Sequence, residues 1–184
     1  MLFRSPTDFI IADAGDGDMG AGAWFTGQKR GSERLKSKAE FLEELSAITR
    51  SGLIDIMLCS VSTAEILTAE KLFAKSKVTP AVRLNDTTDI WSHRGGTYKE
   101  TPSHPHRSAH VKRARKFADL GLYSVTYTNN VKQDLKLHED FAAFREEALA
   151  ARMRYFLEVF NPVENIGLKG ATLGHYIKIG RAHV

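Results

Sequence analysis

Short apolar runs alternate along the chain with segments whose apolar residues recur every three or four positions. The runs predict β-strands at residues 9–13, 54–59, 80–84, 122–127 and 154–158. The periodic segments predict helices at residues 38–50, 63–76, 107–120 and 138–151. Strands that alternate with helices pair in parallel, and such strands are apolar because both faces of the sheet are covered. The pattern therefore predicts an α/β domain built on a parallel sheet.

The glycine-rich segment after the first strand bears on which parallel architecture forms. An open dinucleotide-binding sheet carries a G-x-G-x-x-G turn at this point, where the pyrophosphate binds. Here Gly15, Gly17 and Gly20 are interleaved with Asp16 and Asp18, whose charges would repel a pyrophosphate. We therefore expect a (β/α)8 TIM barrel that is incomplete, with about its first five βα units, because a whole barrel needs roughly 250 residues.

Polar side chains stand at the carboxyl end of every predicted strand. They are Asp13, Ser60, Asn85, Asn129 and Glu158. In barrels the catalytic groups come from these ends and meet in one shared pocket. The placement of these residues predicts an enzyme site.

Asp13 and Glu158 are the candidate catalytic pair. Two carboxylates in one pocket can take acid and base roles when their surroundings separate their pKa values. Arg83 lies one residue before the end of its strand, where a guanidinium can bind a phosphate or a carboxylate. A structural alternative stays open, in which Asp13 caps its loop and Glu158 pairs with Arg83.

Three further residues are candidates for substrate binding. Asn85, Thr128 and Asn129 follow the third and fourth strands, and their side chains can hydrogen-bond a polyol or a phosphate. Asn129-Asn130 is also an ordinary turn signal, so a purely structural role stays open for it.

We expect no metal and no other cofactor. The alternative is that Asp13, Asp16 or Asp18 binds Mg²⁺ or Ca²⁺, since these cations prefer carboxylate oxygens. The spacing of the three residues matches no calcium-binding loop.

Composition and charge narrow the class of protein. A hydrophobic content of 42% with 26% charged residues is typical of globular domains. The net charge is +4, and a short basic run at residues 112–116 lies on a predicted helix with an apolar stripe. We interpret the run as a solvated helix face and expect no nucleic acid partner, because no aromatic residues are interleaved with the charges. Cys59 is the only cysteine, and neither a membrane span nor a signal peptide is evident, so we expect a cytoplasmic protein.

Two short motifs carry a resemblance to a known family. Phe9-Ile-Ile-Ala-Asp13 is similar to a strand that ends in an active-site Asp, and Tyr155-Phe-Leu-Glu158 is similar to a fifth strand with an acid/base Glu. Over most of residues 8–178 the sequence resembles the class I aldolase superfamily, in particular the bacterial fructose-bisphosphate and tagatose-bisphosphate aldolases.

The resemblance implies a Schiff-base lyase that makes or breaks a carbon-carbon bond in a phosphorylated sugar or related keto substrate. Asp13 would position the substrate, and Glu158 would act as general acid and base. The family's Schiff-base lysine comes from strand six, and Lys169 and Lys178 both precede that strand. Relatives often carry lysines on strands three and four, where this chain has Arg83 and only Thr and Asn. The resemblance also implies a homo-oligomer without membrane contact.

The last six residues, 179–184, read Ile-Gly-Arg-Ala-His-Val. They are the translation of ATC GGA AGA GCA CAC GTC, the start of a common short-read sequencing adapter. We therefore expect residues 1–178 to be the N-terminal part of a single TIM-barrel domain and residues 179–184 to be non-native. On this interpretation the chain is an inactive piece of an aldolase-like enzyme. The alternatives are a metal-dependent barrel enzyme and a noncatalytic barrel that binds a sugar phosphate.

Overall fold

The computed structural model describes residues 9–19, 26–27, 29–88, 103–162 and 165–183. Strands and helices follow one another along these residues. In chain order they are β1 Ala12–Gly15, α1 Lys38–Ser51, β2 Ile56–Cys59, α2 Val61–Ala69, β3 Thr79–Arg83, β4 Asn85–Thr87, β5 Pro105–Arg107, α3 Val111–Ala114, β6 Leu120–Thr126, α4 Val131–Ala150, β7 Arg154–Phe160 and α5 Gly170–His183.

The strands of the described residues form two sheets. One is a five-stranded sheet in the order β1-β2-β3-β6-β7, and every neighbouring pair in it is parallel. The other contains only β4 and β5, which pair antiparallel with Asn85 opposite Arg107 and Thr87 opposite Pro105. Because β1 and β7 stand at opposite ends of the strand order, they are the edges of the larger sheet.

The expected incomplete (β/α)8 barrel is wrong. A barrel has one parallel sheet and a full helix after each strand, whereas here the chain leaves β3 into the antiparallel β4–β5 pair and then forms a helix of only four residues. The prediction failed because strands of three residues are too short to show an alternating pattern of apolar residues. The α/β class and the parallel pairing of the five expected strands are confirmed.

Three of the expected helices have different bounds. The one expected at residues 107–120 is only α3, Val111–Ala114. Helix α2 ends at Ala69, and Lys71 adopts a left-handed backbone with a φ of 59°, which a continuing helix does not allow. Helix α4 begins at Val131 because the side chain of Asn130 caps it, accepting a hydrogen bond from the backbone N–H of Gln133 at 3.2 Å. The expected helix left out these first turns, in which Val131 and Leu135 are exposed and Leu137 is buried.

Helix α1 forms where it was expected. Ser37 and Glu40 form a capping box, in which each side chain accepts a hydrogen bond from the other residue's backbone N–H. Gly52 ends the helix with a φ of 68°, a conformation that glycine adopts at little cost. The residues at the two ends of this helix are therefore sufficient to define where it begins and where it ends.

The sheet separates two groups of buried apolar side chains. Because successive strand residues face opposite sides, Met57 and Cys59 pack under the helices while Ile56 and Leu58 lie on the other face. Burial raises the pKa of the Cys59 thiol to about 12, so the thiol is a neutral core group. The helix-side cluster includes apolar side chains from α1, α2, α4 and β6, among them Phe41, Leu45, Leu67, Tyr123, Phe141 and Phe144. The opposite cluster adds Ala81, Leu120 and Leu122.

None of the helices in the described part of the chain combines the length and the apolar character that a membrane crossing requires.

Candidate functional site

A line of polar side chains crosses the carboxyl end of the five-stranded sheet. Arg83, the last residue of β3, forms an ion pair with Asp16 at 3.0 Å and donates a hydrogen bond to Ser124 Oγ at 3.1 Å. Ser124 in β6 donates its hydroxyl to Glu158 Oε2 in β7 at 3.0 Å. The parallel register places Ser124 directly beside Glu158. The sheet itself therefore assembles this line from three strands and the loop after β1.

The chemistry of the groups fixes the direction of these hydrogen bonds. A guanidinium only donates, so the Arg83 bond occupies a lone pair of the Ser124 oxygen. The single hydroxyl proton of Ser124 is then available for Glu158, whose carboxylate accepts it. The Ser124 hydroxyl thus links the Arg83 guanidinium to the Glu158 carboxylate.

Arg83 is held firmly, and the described residues use only part of its hydrogen-bonding capacity. Its side chain is 13% exposed, and that of Asp16 is 11% exposed. Three of its five N–H groups have acceptors in the described part of the chain, on Asp16, on Ser124 and on the backbone oxygen of Asn85 at 2.9 Å. Donors therefore remain for a ligand that enters from the solvent side.

A cavity of about 370 Å³ adjoins Arg83. It lies between the start of α2 and the segment that joins β5 to α3, and its size falls in the usual range for small-molecule sites. It is lined by Met19, Ser60, Val61, Ser62, Glu65, Arg83, Ser108, Ala109, His110 and Arg113. Two guanidinium groups, an imidazole and three hydroxyl groups face a single carboxylate there, so the lining suits an anion. We call this the arginine cavity.

A second polar cluster includes Ser60, which also lines the arginine cavity. Asp18 Oδ2 accepts hydrogen bonds from Ser60 Oγ at 2.8 Å and from Thr63 Oγ1 at 2.7 Å, and it also pairs with Lys38. Ser60 in turn caps α2 by accepting from the backbone N–H of Thr63 at 3.2 Å. The cluster ties the loop after β1 to the starts of α1 and α2.

The structure does not join the two expected catalytic carboxylates. Asp13 lies in β1 and Glu158 in β7, at opposite edges of the sheet. Asp13 also stands in register with Met57, whose side chain packs on the helix side, whereas Glu158 belongs to the line on the other face. Burial, together with the charges of Glu44 and Asp16, raises the pKa of Asp13.

Asn85 is buried and engaged with the backbone. Its Nδ2 donates to the backbone oxygen of Ser124 at 2.6 Å, and its Oδ1 accepts from the backbone N–H of Ser124 at 2.7 Å. The amide expected to bind substrate therefore aligns β6 with the end of β3.

Thr128 and Asn129 hold the loop between β6 and α4. The backbone N–H and the hydroxyl of Thr128 both donate to Asp134, at 2.9 and 3.2 Å. The backbone N–H of Asn129 donates to the Tyr176 hydroxyl at 2.9 Å, and its side-chain amide donates to the backbone oxygen of Ile166 at 3.1 Å. These contacts dock helix α5 on the loop, and they are separate from the line that contains Glu158.

The acidic residues of the first loop do not converge on one point. Asp16 pairs with Arg83, Asp18 pairs with Lys38, and Asp13 lies on the helix side of the sheet. In the described ranges no three His, Cys, Asp or Glu side chains are grouped so that they could hold a metal ion. The arrangement gives no support to the metal-dependent alternative.

Sequence reasoning missed Asp16 as an ion-pair partner, and it missed Ser124 altogether. Ser124 lies inside a buried strand, where no sequence signal separates it from other small residues. Arg113 was noticed only as part of the basic run, which was interpreted as a solvated helix face, whereas the structure places it in the lining of the same cavity as Arg83. Comparisons with known protein families, with curated proteins and with solved structures found no match to this chain.

Proposed function

We propose that the carboxyl end of the sheet binds a small substrate with a phosphate or carboxylate group, and that Glu158 moves a proton during its conversion. The observation that carries this proposal is the double role of Arg83. Its guanidinium lines the arginine cavity and also donates to Ser124, which donates to Glu158. Arg83 thus connects the arginine cavity, which suits an anion, with the Glu158 carboxylate.

The anionic group of the substrate binds between Arg83 and Arg113. A guanidinium matches the geometry of a carboxylate or phosphate with two parallel N–H bonds, and such charge-assisted bonds are stronger than neutral ones. Ser62 and Ser108 add hydroxyl groups to the same cavity, whereas the Ser60 hydroxyl donates to Asp18. The lining therefore favours a small, oxygen-rich anion.

The reaction class we propose is an aldol-type cleavage or formation of a carbon-carbon bond, following the resemblance of the β7 motif. Glu158 would take the proton of a substrate hydroxyl as the adjacent carbon-carbon bond breaks, and would return a proton to the carbanion-like carbon. The electrons of the broken bond pass to the substrate's carbonyl or to an imine formed from it. No lysine lies at the carboxyl ends of the described parallel strands, so this imine needs a lysine from elsewhere.

A second candidate is a noncatalytic site for the same anions. Glu158 is joined to the arginine cavity only through Ser124 and Arg83 and does not line the cavity itself. This separation favours a role for Glu158 in fixing Arg83 rather than in proton transfer.

Binding is tested by calorimetric titration of the chain with dihydroxyacetone phosphate. We expect saturable binding that weakens by about ten-fold or more in the Asp16→Asn/Arg83→Met double variant, which removes both buried charges together. Glu146→Gln, an exposed change on α4, is the matched control and leaves the affinity unchanged. Absence of binding by the unaltered chain would contradict both candidates.

Proton transfer is tested by the exchange of deuterium from solvent into the carbon next to the carbonyl, followed by NMR. This exchange needs only a base and a polarised carbonyl, so it does not depend on the imine. For an enzyme we expect exchange above the buffer rate that falls about 100-fold in Glu158→Gln. Binding without exchange selects the noncatalytic candidate. Borohydride reduction with the same ligand then tests the aldolase class, which an unmodified protein mass would contradict.

A further inference from the structure

A groove adjoins the arginine cavity and shares part of its lining. The groove has a volume of about 600 Å³ and is lined by Glu65, His110, Lys112, Arg113, Lys116 and Phe117. Glu65, His110 and Arg113 line both spaces. A ligand held by Arg113 can therefore occupy the cavity and the groove at once.

The positively charged side chains of the groove differ from the neighbouring Arg115 in whether they form ion pairs. Arg115 forms an ion pair with Asp119 and lines neither space. Lys112, Arg113 and Lys116 form no ion pair with any residue in the ranges that the structure describes. The unpaired positive charge is thus concentrated on the side of the helix that faces the groove.

This concentration of charge is unfavourable without an anion. Lys112 lies in α3 and Lys116 in the turn that follows it, four residues later, and like charges at this spacing repel one another. Glu65 is the one acidic residue among the groove's lining side chains. A bound ligand with more than one negative charge would relieve the repulsion.

We propose that the arginine cavity and the groove together bind a small molecule with two adjacent phosphate groups. One phosphate lies against Arg83 and Arg113, and the second lies against Lys112 and Lys116. The charges of Asp16 and Asp18, which would repel a pyrophosphate if they were free, are paired with Arg83 and Lys38. Because Arg113 and His110 line both spaces, the two phosphates are neighbours, as in a diphosphate, and not at opposite ends of a sugar.

The inference rests on the proposed function in one respect, since both require the arginine cavity to accept an anion.

The groove also contains the partly buried ring of Phe117, which packs on the core and offers an apolar surface to a ligand. Two sources of a diphosphate fit this lining. They are inorganic pyrophosphate and a nucleoside diphosphate whose base contacts Phe117.

Calorimetric titration with inorganic pyrophosphate, orthophosphate and adenosine diphosphate tests the proposal, in low salt and without divalent cations. We expect pyrophosphate to bind at least ten-fold more tightly than orthophosphate, and Arg113→Gln to weaken pyrophosphate binding by about ten-fold. Arg115→Gln removes the same charge from the same segment but outside both spaces, so we expect less than a two-fold change. Tighter binding of adenosine diphosphate than of pyrophosphate identifies a nucleotide, and the reverse identifies a simple diphosphate.

Besides a failure of pyrophosphate to bind, three outcomes would overturn the inference. The first is equal binding of pyrophosphate and orthophosphate, and the second is an equal loss in Arg113→Gln and Arg115→Gln, which indicates nonspecific attraction. The third is displacement of pyrophosphate by a lower concentration of single-stranded oligonucleotide, which indicates a nucleic acid surface. Thermal melting of both variants excludes unfolding as the cause. If dihydroxyacetone phosphate binds and pyrophosphate does not, the proposed function stands and only this inference fails.

Discussion

The side-chain amide of Asn85 is hydrogen-bonded to both backbone groups of Ser124. The register of β3 with β6 ends at the pair of Arg83 and Leu122, and the Asn85 amide continues the contact beyond that point. Both residues are buried. The contact holds Ser124 where its hydroxyl meets Arg83 on one side and Glu158 on the other.

Replacing this amide should destabilise the fold. Asn85→Ala leaves the backbone N–H and C=O of Ser124 buried without partners, and we expect the free energy of unfolding to fall by about 2–4 kcal/mol. Urea denaturation followed by circular dichroism measures the change. Asn161→Ala, at an exposed position, is the control and should stay within about 0.5 kcal/mol of the unaltered chain. Equal stability of the two variants would contradict the role given to Asn85.

The ion pair between Arg83 and Asp16 should show strong coupling in a double-mutant cycle. Each single change, Arg83→Met or Asp16→Asn, leaves one charge nearly buried without its partner, at a cost of about 3 kcal/mol. The double variant should lose less than the sum, with a coupling energy of about 1–3 kcal/mol. Denaturation of the four proteins gives these values. Additive losses would show that the two charges do not depend on each other.

Asp13 should make stability fall as the pH rises. Burial first, and then the nearby Glu44 and Asp16 carboxylates, raise the pKa of Asp13 in the folded chain above its value in the unfolded chain. The folded state therefore binds the proton more tightly, and stability decreases as the pH increases from the ordinary Asp value of about 4 through the raised pKa. Asp13→Asn should be more stable than the unaltered chain at neutral pH by less than about 1 kcal/mol.

The advantage of Asp13→Asn should disappear in acid, where Asp13 is protonated in both folded and unfolded chains. Urea midpoints at pH 7 and at the lowest pH at which the chain stays folded measure the difference. Glu146→Gln is the control, since its exposed side chain should give no comparable pH dependence. A stability gain for Asp13→Asn that persists in acid would show that electrostatics is not the cause.

Gly15 should not tolerate a side chain. A Cβ atom at this position would lie 2.7 Å from Leu45 Cδ2 and 2.9 Å from both the backbone oxygen of Leu58 and Met57 Sδ. The backbone oxygen cannot move without disturbing β2, so Gly15→Ala should cost about 1–3 kcal/mol. Gly174→Ala, where a Cβ has open space in helix α5, should instead be neutral or stabilising by up to about 1 kcal/mol. Thermal melting compares the two.

The parallel sheet was predictable because its signals are local and repeated. The strand at residues 56–59 is apolar throughout, and the capping box at Ser37 marks a helix start within four residues. The β4–β5 pair was not predictable in this way, since each of its strands has three residues and its partner lies far along the chain. Because this pair was not predicted, we expected a barrel, whereas the structure has a different α/β arrangement.

The candidate site was predictable only in part. Arg83 and Glu158 were recognised as polar ends of strands, and the structure links them through Ser124. The expected pairing of Asp13 with Glu158 depended on a closed barrel, in which all strand ends meet. In this sheet Asp13 and Glu158 lie in strands at opposite edges, so the two carboxylates are not neighbours.

The sequence by itself determined where the five parallel strands and the helices α1, α2 and α4 lie along the chain, because apolar periodicity and capping act over a few residues. Tertiary structure alone decided which polar residues meet. Asp16, Arg83, Ser124 and Glu158 come from four separate segments, and only strand order and register set the distances between them. Hydrogen bonds and ion pairs act over about 3 Å, so a site made of them exists only once the sheet has formed.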